Sequence, residues 1–90
     1  MPDNFYIYVL YSVKLKKTYL GQTNNVNERL KRHNKGLVSS TKSFRPWLLI
    51  YFEEFQTRSE AMLRERWLKS GKGRKLIKVL LREKQGIASA

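Results

Sequence analysis

Cysteine is missing from all 90 residues. That absence excludes disulfides, zinc fingers, iron–sulfur clusters and thiol nucleophiles. It also removes any need for an oxidising compartment. Long apolar runs are missing too, and no stretch reaches the length of a membrane span. The N-terminus has no basic region followed by an apolar run and a small-residue cleavage site, so no secretory leader is expected. A cytoplasmic protein without a membrane partner is the default that these absences leave. Internal repeats and interdomain linkers are likewise absent. Negative charge is scarce: seven Asp and Glu stand against nineteen Lys and Arg, a formal net charge of +12.

What is present supports one small core. The chain is 41% hydrophobic and 12% aromatic, which is too rich for a disordered tail and enough for a single domain. The positive charge exceeds what solubility needs and opposes compaction through self-repulsion. A polyanionic partner is the usual reason to tolerate it. A basic solvated surface, a ribosome-like role and a membrane-surface role are the blander alternatives. Charge alone does not separate DNA from RNA, or binding from cutting.

Periodicity assigns an α/β (α+β) class, with a small three-stranded antiparallel sheet flanked by three helices in the order β-β-α-β-α-α. Phe5 to Tyr11, FYIYVLY, reads as a buried strand. A basic connector leads to a short strand at Thr18 to Gln22. Asn24-Asn25 caps a helix over Val26 to Lys35, with Val26, Leu30, His33 and Leu37 on one stripe and Gly36 as the stop. Leu37 to Phe44 reads as a flexible polar loop. Trp47 to Phe52, WLLIYF, is so continuously apolar that an interior strand is expected. Thr57 or Ser59 caps a second helix running to about Lys69. Ser70 to Arg74, SGKGR, reads as a break, and a third helix follows with Leu76, Ile77, Leu80 and Leu81 on its stripe. Residues 1–84 form a single domain in this reading, and 85–90 a frayed, flexible tail.

Three features strain a purely structural reading. His33 continues an apolar stripe, with Arg29 one turn before it on the same side. A boundary histidine with a satisfied hydrogen bond also explains it. Glu65 places a carboxylate among Ala61, Met62 and Leu68. Such burial costs several kcal/mol unless a cation or metal compensates, and a salt bridge to Arg29 or Arg64 would serve as well as a metal. Tyr6 and Tyr8 share a face of the first strand, and Tyr19 lies on the next. Strand tyrosines commonly fill space.

The ordered set Tyr6-Ile7-Tyr8, Tyr19-Leu20-Gly21, Asn27-Glu28-Arg29-Leu30, Arg32-His33-Asn34 and Arg58 through Lys69 resembles the GIY-YIG nuclease signature. Within that superfamily it is similar to the small single-domain bacterial branch related to the nuclease domain of the excision-repair endonuclease. The likeness runs from about residue 5 to 84. It implies that Tyr8 and Tyr19 are the signature tyrosines and Arg29 the catalytic arginine. His33 fills the histidine-or-tyrosine position, and Glu65 holds Mg²⁺ or Mn²⁺. DNA, double-stranded or branched, is the implied substrate, with a role in repair or recombination. Tyr6 stands where the first motif has its glycine. Gln22 stands where some relatives carry lysine, and SGKGRK where several place an asparagine.

Those residue types suit phosphodiester hydrolysis. Mg²⁺ needs few protein carboxylates and keeps several waters, so Glu65 alone suffices beside a substrate phosphate. Arg29 offers a planar fork of donors to a phosphate. Tyr8, Tyr19 and His33 stand equal as the group that orients or deprotonates water. Lys14, Lys16, Lys17, Arg32, Lys35, Lys42, Arg45, Lys69, Lys72, Arg74 and Lys75 surround these positions in sequence order as expected backbone-phosphate contacts. Such contacts carry no base information. Specificity is therefore expected to be low unless a partner protein supplies it. The alternative is a non-catalytic nucleic-acid-binding module that keeps the fold. An RNA-directed or ribosome-associated role is weaker still.

Overall fold

A strand covered by helices on both faces has no reason to alternate apolar with polar residues, and the first strand of this chain is of that kind. The computed structural model describes residues 4–84. Their elements are β1 (Phe5–Ser12), β2 (Lys17–Thr23), α1 (Val26–Asn34), β3 (Trp47–Phe55), α2 (Arg58–Leu68) and α3 (Gly71–Lys84). The expected α+β architecture is the one observed: β1 pairs antiparallel with both β2 and β3. Ile7, Val9 and Tyr11 point to one face and pack with Ile50, Ala61, Leu68 and Ile77 beneath α2 and α3. Tyr8 and Leu10 point to the other, and pack with Trp47, Tyr19, Val26 and Leu30 beneath α1.

The sheet order β2-β1-β3 makes β3 an edge, which corrects the interior position expected of WLLIYF. Its apolar run reflects cover on both faces, not a central place. Ile50 and Tyr51 join one core, while Trp47 and Leu49 join the other. A register shift opposite Val9 and Leu10 lets the adjacent Ile50 and Tyr51 share a face. Leu48 and Phe52 stay half exposed along this strand.

Asn25 caps α1 by accepting from the Glu28 N–H at 3.0 Å, and Gly36 closes it with a left-handed φ of 78°. Leu37 lies past that stop and is exposed, so it does not extend the stripe. The following loop is not the flexible segment its composition suggested. It contains a 3-10 turn at Lys42–Phe44, and Thr41 is buried at 2% exposure. The Trp47 indole N–H donates to the Thr41 carbonyl at 3.0 Å. The Asn34 amide pairs with both the carbonyl and the N–H of Trp47, which ties the end of α1 to the start of β3.

Thr57 and Glu60 form a capping box at the start of α2. The expected break at SGKGR is present but short: α2 ends at Leu68 and α3 already begins at Gly71. Ser70 caps it, its hydroxyl accepting from the Gly73 N–H at 3.4 Å. Gly73 is buried against the backbone of Trp67 and Leu68, so closely that a side chain there would overlap it. The tail expected at 85–90 lies outside the described residues. No described helix is long and apolar enough to cross a membrane.

Candidate active site

Tyr8 on the central strand pairs with Gly21 of β2. A Cβ at Gly21 would stand 2.5 Å from the Tyr8 hydroxyl, so only glycine lets the phenol lie against the β2 backbone. From that hydroxyl a chain of hydrogen bonds runs inward. Thr41 gives its one hydroxyl hydrogen to the Val38 carbonyl at 3.2 Å. Its Oγ1 is then the acceptor for His33 Nδ1–H at 2.8 Å, which fixes the tautomer. Nε2 carries the lone pair and accepts the Tyr8 O–H at 3.0 Å. The Tyr8 oxygen accepts in turn from Arg29 Nε at 3.3 Å. Tyr8, His33 and Thr41 are each no more than 2% exposed.

Burial pushes the Tyr8 phenol above its ordinary value. The Arg29 hydrogen bond opposes this, while the Tyr19 and Glu65 charges add to the rise. His33 is held below the usual imidazole value, first by burial and then by the charges of Arg29 and Arg32. The Tyr8 hydrogen bond raises Arg29 further against the opposing effect of burial. Tyr19 meets the His33 ring edge-on at 4.9 Å between centroids and lies 6.1 Å from Trp47.

Arg29 also lines a cleft of about 550 Å³, together with Gln22 of β2 and with Arg58, Met62 and Glu65 of α2. The Glu65 carboxylate accepts from Gln22 Nε2 at 3.3 Å and pairs with Lys69 Nζ at 3.1 Å. Neither suggested partner holds it, since Arg64 is committed to Glu53 at 2.8 Å and Arg29 to Tyr8. Gln22 points its Nε2 at the carboxylate, which leaves Oε1 buried without a hydrogen-bond partner. Among the described residues no three His, Asp or Glu cluster as a metal cage. One carboxylate with an unused amide oxygen beside it does fit a hard divalent cation that retains most of its waters.

The predicted basic residues do not ring this cleft as their sequence order suggested. Lys69 touches Glu65. Lys14, Lys16 and Lys17 lie at the β1–β2 turn, at the opposite end of β1 from Phe5 and the cleft. Lys16, Lys17 and Arg74 line a separate groove. Lys72 and Lys75 are exposed on α3, and Arg32 and Lys35 at the end of α1. Arg45 donates to the Lys42 carbonyl at 2.7 Å and lies against Gly36. Three residues of the site escaped sequence reasoning, the first being Gln22, whose contact with Glu65 has no local signal. Arg58 is stacked 5.1 Å over the Phe5 ring, and the helix-opening motif that contains it was the available signal. Thr41 sits in a polar loop with no local pattern to mark it.

Residues 4–78 match the family model described as the GIY-YIG catalytic domain. The chain is 40% identical over 65 residues to a UPF0213 protein of Clostridium perfringens, covering 71% of this chain and 69% of the relative. It is also 40% identical over 87 residues to a UPF0213 protein of Pediococcus pentosaceus, covering 96% of this chain and 88% of the relative. The solution NMR structure of a UPF0213 protein from Bacillus halodurans shares the fold. Its TM-score is 0.54 at 28% identity, covering 97% of this chain and 98% of that one.

Proposed function

This chain belongs to the GIY-YIG catalytic-domain family, in the small UPF0213 branch, and on that premise we propose that it is a divalent-metal-dependent DNA endonuclease working through Tyr8, His33, Arg29 and Glu65. The observation that carries the reading is the continuous hydrogen-bond chain Arg29–Tyr8–His33–Thr41. Its outer member shares a cleft with Glu65.

Hydrolysis needs a deprotonated water, neutralised phosphoryl oxygens and a stabilised leaving oxygen. Arg29 stays cationic and offers its fork to the scissile phosphate. Its Nε lies over the Tyr8 oxygen, so drawing Arg29 toward a phosphate frees that oxygen for a water. Tyr8 takes a proton from the water and releases its own to His33 Nε2. The positive charge then rests on the imidazole, and no phenolate forms in a buried site. Thr41 holds the ring in the accepting tautomer, and Tyr19, wedged against His33 and Trp47, keeps its orientation. Tyr19 and Thr41 are positioning residues in this scheme. Glu65 and the free oxygen of Gln22 would hold the cation, with Mg²⁺ or Mn²⁺ as the candidates. When bound, it supplies charge neutralisation and a more acidic water. Arg58 adds a second guanidinium to the cleft wall.

The domain spans residues 1–84 in this reading and acts on DNA in the cytoplasm. Its sequence specificity is low, and its role is in repair or recombination. A partner protein is the source of any target choice. The test is nicking of supercoiled plasmid and of duplex oligonucleotides with Mg²⁺, Mn²⁺ or chelator. Glu65→Gln and Arg29→Ala should each lower the rate by about 100-fold or more while the circular dichroism spectrum is retained. Cleavage that survives chelation or Glu65→Gln would overturn the assignment.

A further inference from the structure

A second groove of about 470 Å³ opens between the start of β2 and α3. Its rim carries Lys16, Lys17, Arg74 and Lys78, its floor includes Tyr11 and Ile77, and among the described residues no carboxylate lines it. Lys17 and Gln22 stand five positions apart on β2, so the groove lies roughly 17 Å from the cleft at about 3.3 Å per strand residue.

Two independent observations set these rim charges apart from an ordinary basic surface. The first is their convergence from separate elements, the β1–β2 turn and α3. The second is the backbone of Lys16, at φ 53°. Glycine adopts this left-handed region without steric cost and asparagine with little, whereas lysine is strained there. A charged side chain held at a strained position beside a basic groove points to a ligand for that charge.

We propose that this groove binds single-stranded DNA, as an unpaired arm of the same substrate that is cut in the cleft. The cations on the rim suit phosphates. The apolar floor decides between strand states. In a duplex the base faces are hidden in the stack, and only sugar and phosphate reach a protein groove. An unpaired strand can set its bases against this floor, formed by Leu81 and the exposed edges of the otherwise buried Tyr11 and Ile77, while its phosphates meet the lysines. At about 3.4 Å per nucleotide of stacked strand, the arm leaves the duplex roughly five nucleotides from the scissile bond. This deepens the endonuclease reading and rests on it.

The test measures binding by fluorescence anisotropy in chelator, where no cleavage occurs. The probes are a blunt duplex and the same duplex with a ten-nucleotide single-stranded arm. The wild-type chain should bind the armed probe roughly tenfold more tightly. Lys16→Gly should leave Tm unchanged or higher, because the backbone strain is relieved. It should nevertheless lower the armed-to-blunt affinity ratio, and with Lys78→Ala the ratio should approach one. Each lost contact should flatten the salt dependence of arm binding by about 0.7. Equal binding of both probes by the wild type, or an unchanged ratio in the double variant, overturns the proposal even if the chain cuts DNA. A persistent arm preference in a chain that cuts nothing supports the groove and sinks the endonuclease reading instead.

Discussion

Tyr8 receives a hydrogen bond from a cation and gives one to a neutral imidazole, an arrangement that lets a high-pKa phenol move protons at neutral pH. Its burial holds the hydroxyl protonated, so a Tyr8→Phe variant should keep its fold and lose about 100-fold or more in cleavage rate. His33 adds a pH signature. Its folded value lies below the usual imidazole value of about 6.5. Between those two values the unfolded chain binds more protons than the folded one. The His33 contribution to stability is therefore complete above about pH 6.5. It is lost as the pH falls from there toward the folded value, and then levels off. Urea unfolding at pH 7.5 and 5.5 should show this loss, and His33→Gln should show a smaller difference between the two pH values. An equal difference in both proteins would refute the assignment.

Helix joints show how backbone packing sets the frame. Gly73 lets α3 approach the end of α2, so Gly73→Ala should cost about 1–3 kcal/mol through overpacking. Gly71 meets nothing within 4 Å, and alanine there should be neutral or stabilising. Thermal unfolding of the two variants checks the pair, and similar shifts in both would refute the packing argument. Element types and order were legible in the sequence because β1 is an unbroken run of β-branched, aromatic and apolar residues, α1 and α3 carry apolar stripes, and α1 and α2 have caps at Asn25 and Thr57. The edge position of β3 was not, since cover on two faces produces the same apolar run as a central strand. Nor was the early start of α3 at Gly71, where two glycines imitate a longer break although Ser70 caps the helix and Gly73 serves a close approach. Within the site, the signature residues were visible by type and spacing. The partners of Glu65 and the buried Thr41 were not, because Gln22 reaches Glu65 across the fold and Thr41 reaches His33 only when the loop after α1 folds back.

Across the whole molecule the +12 charge is distributed over more than one surface, so binding should remain strongly salt-dependent in any single-site variant. An interface making six or more phosphate contacts would lose on the order of 10³-fold in duplex affinity between 50 and 200 mM salt. Titration in metal-free buffer checks this, and a nearly flat response would argue against backbone-dominated recognition. The catalytic family and the charge agree on nucleic acid, but they act at different depths. Tyr8, His33 and Thr41 lie wholly beneath the surface, whereas the lysines and arginines of the rims stand outside it. On the proposed function, this separation would suit the chain to fusion as a cutting module. A DNA-reading domain joined to it would choose the target without touching Tyr8, His33 or Thr41, so retargeting would leave the proposed proton route intact.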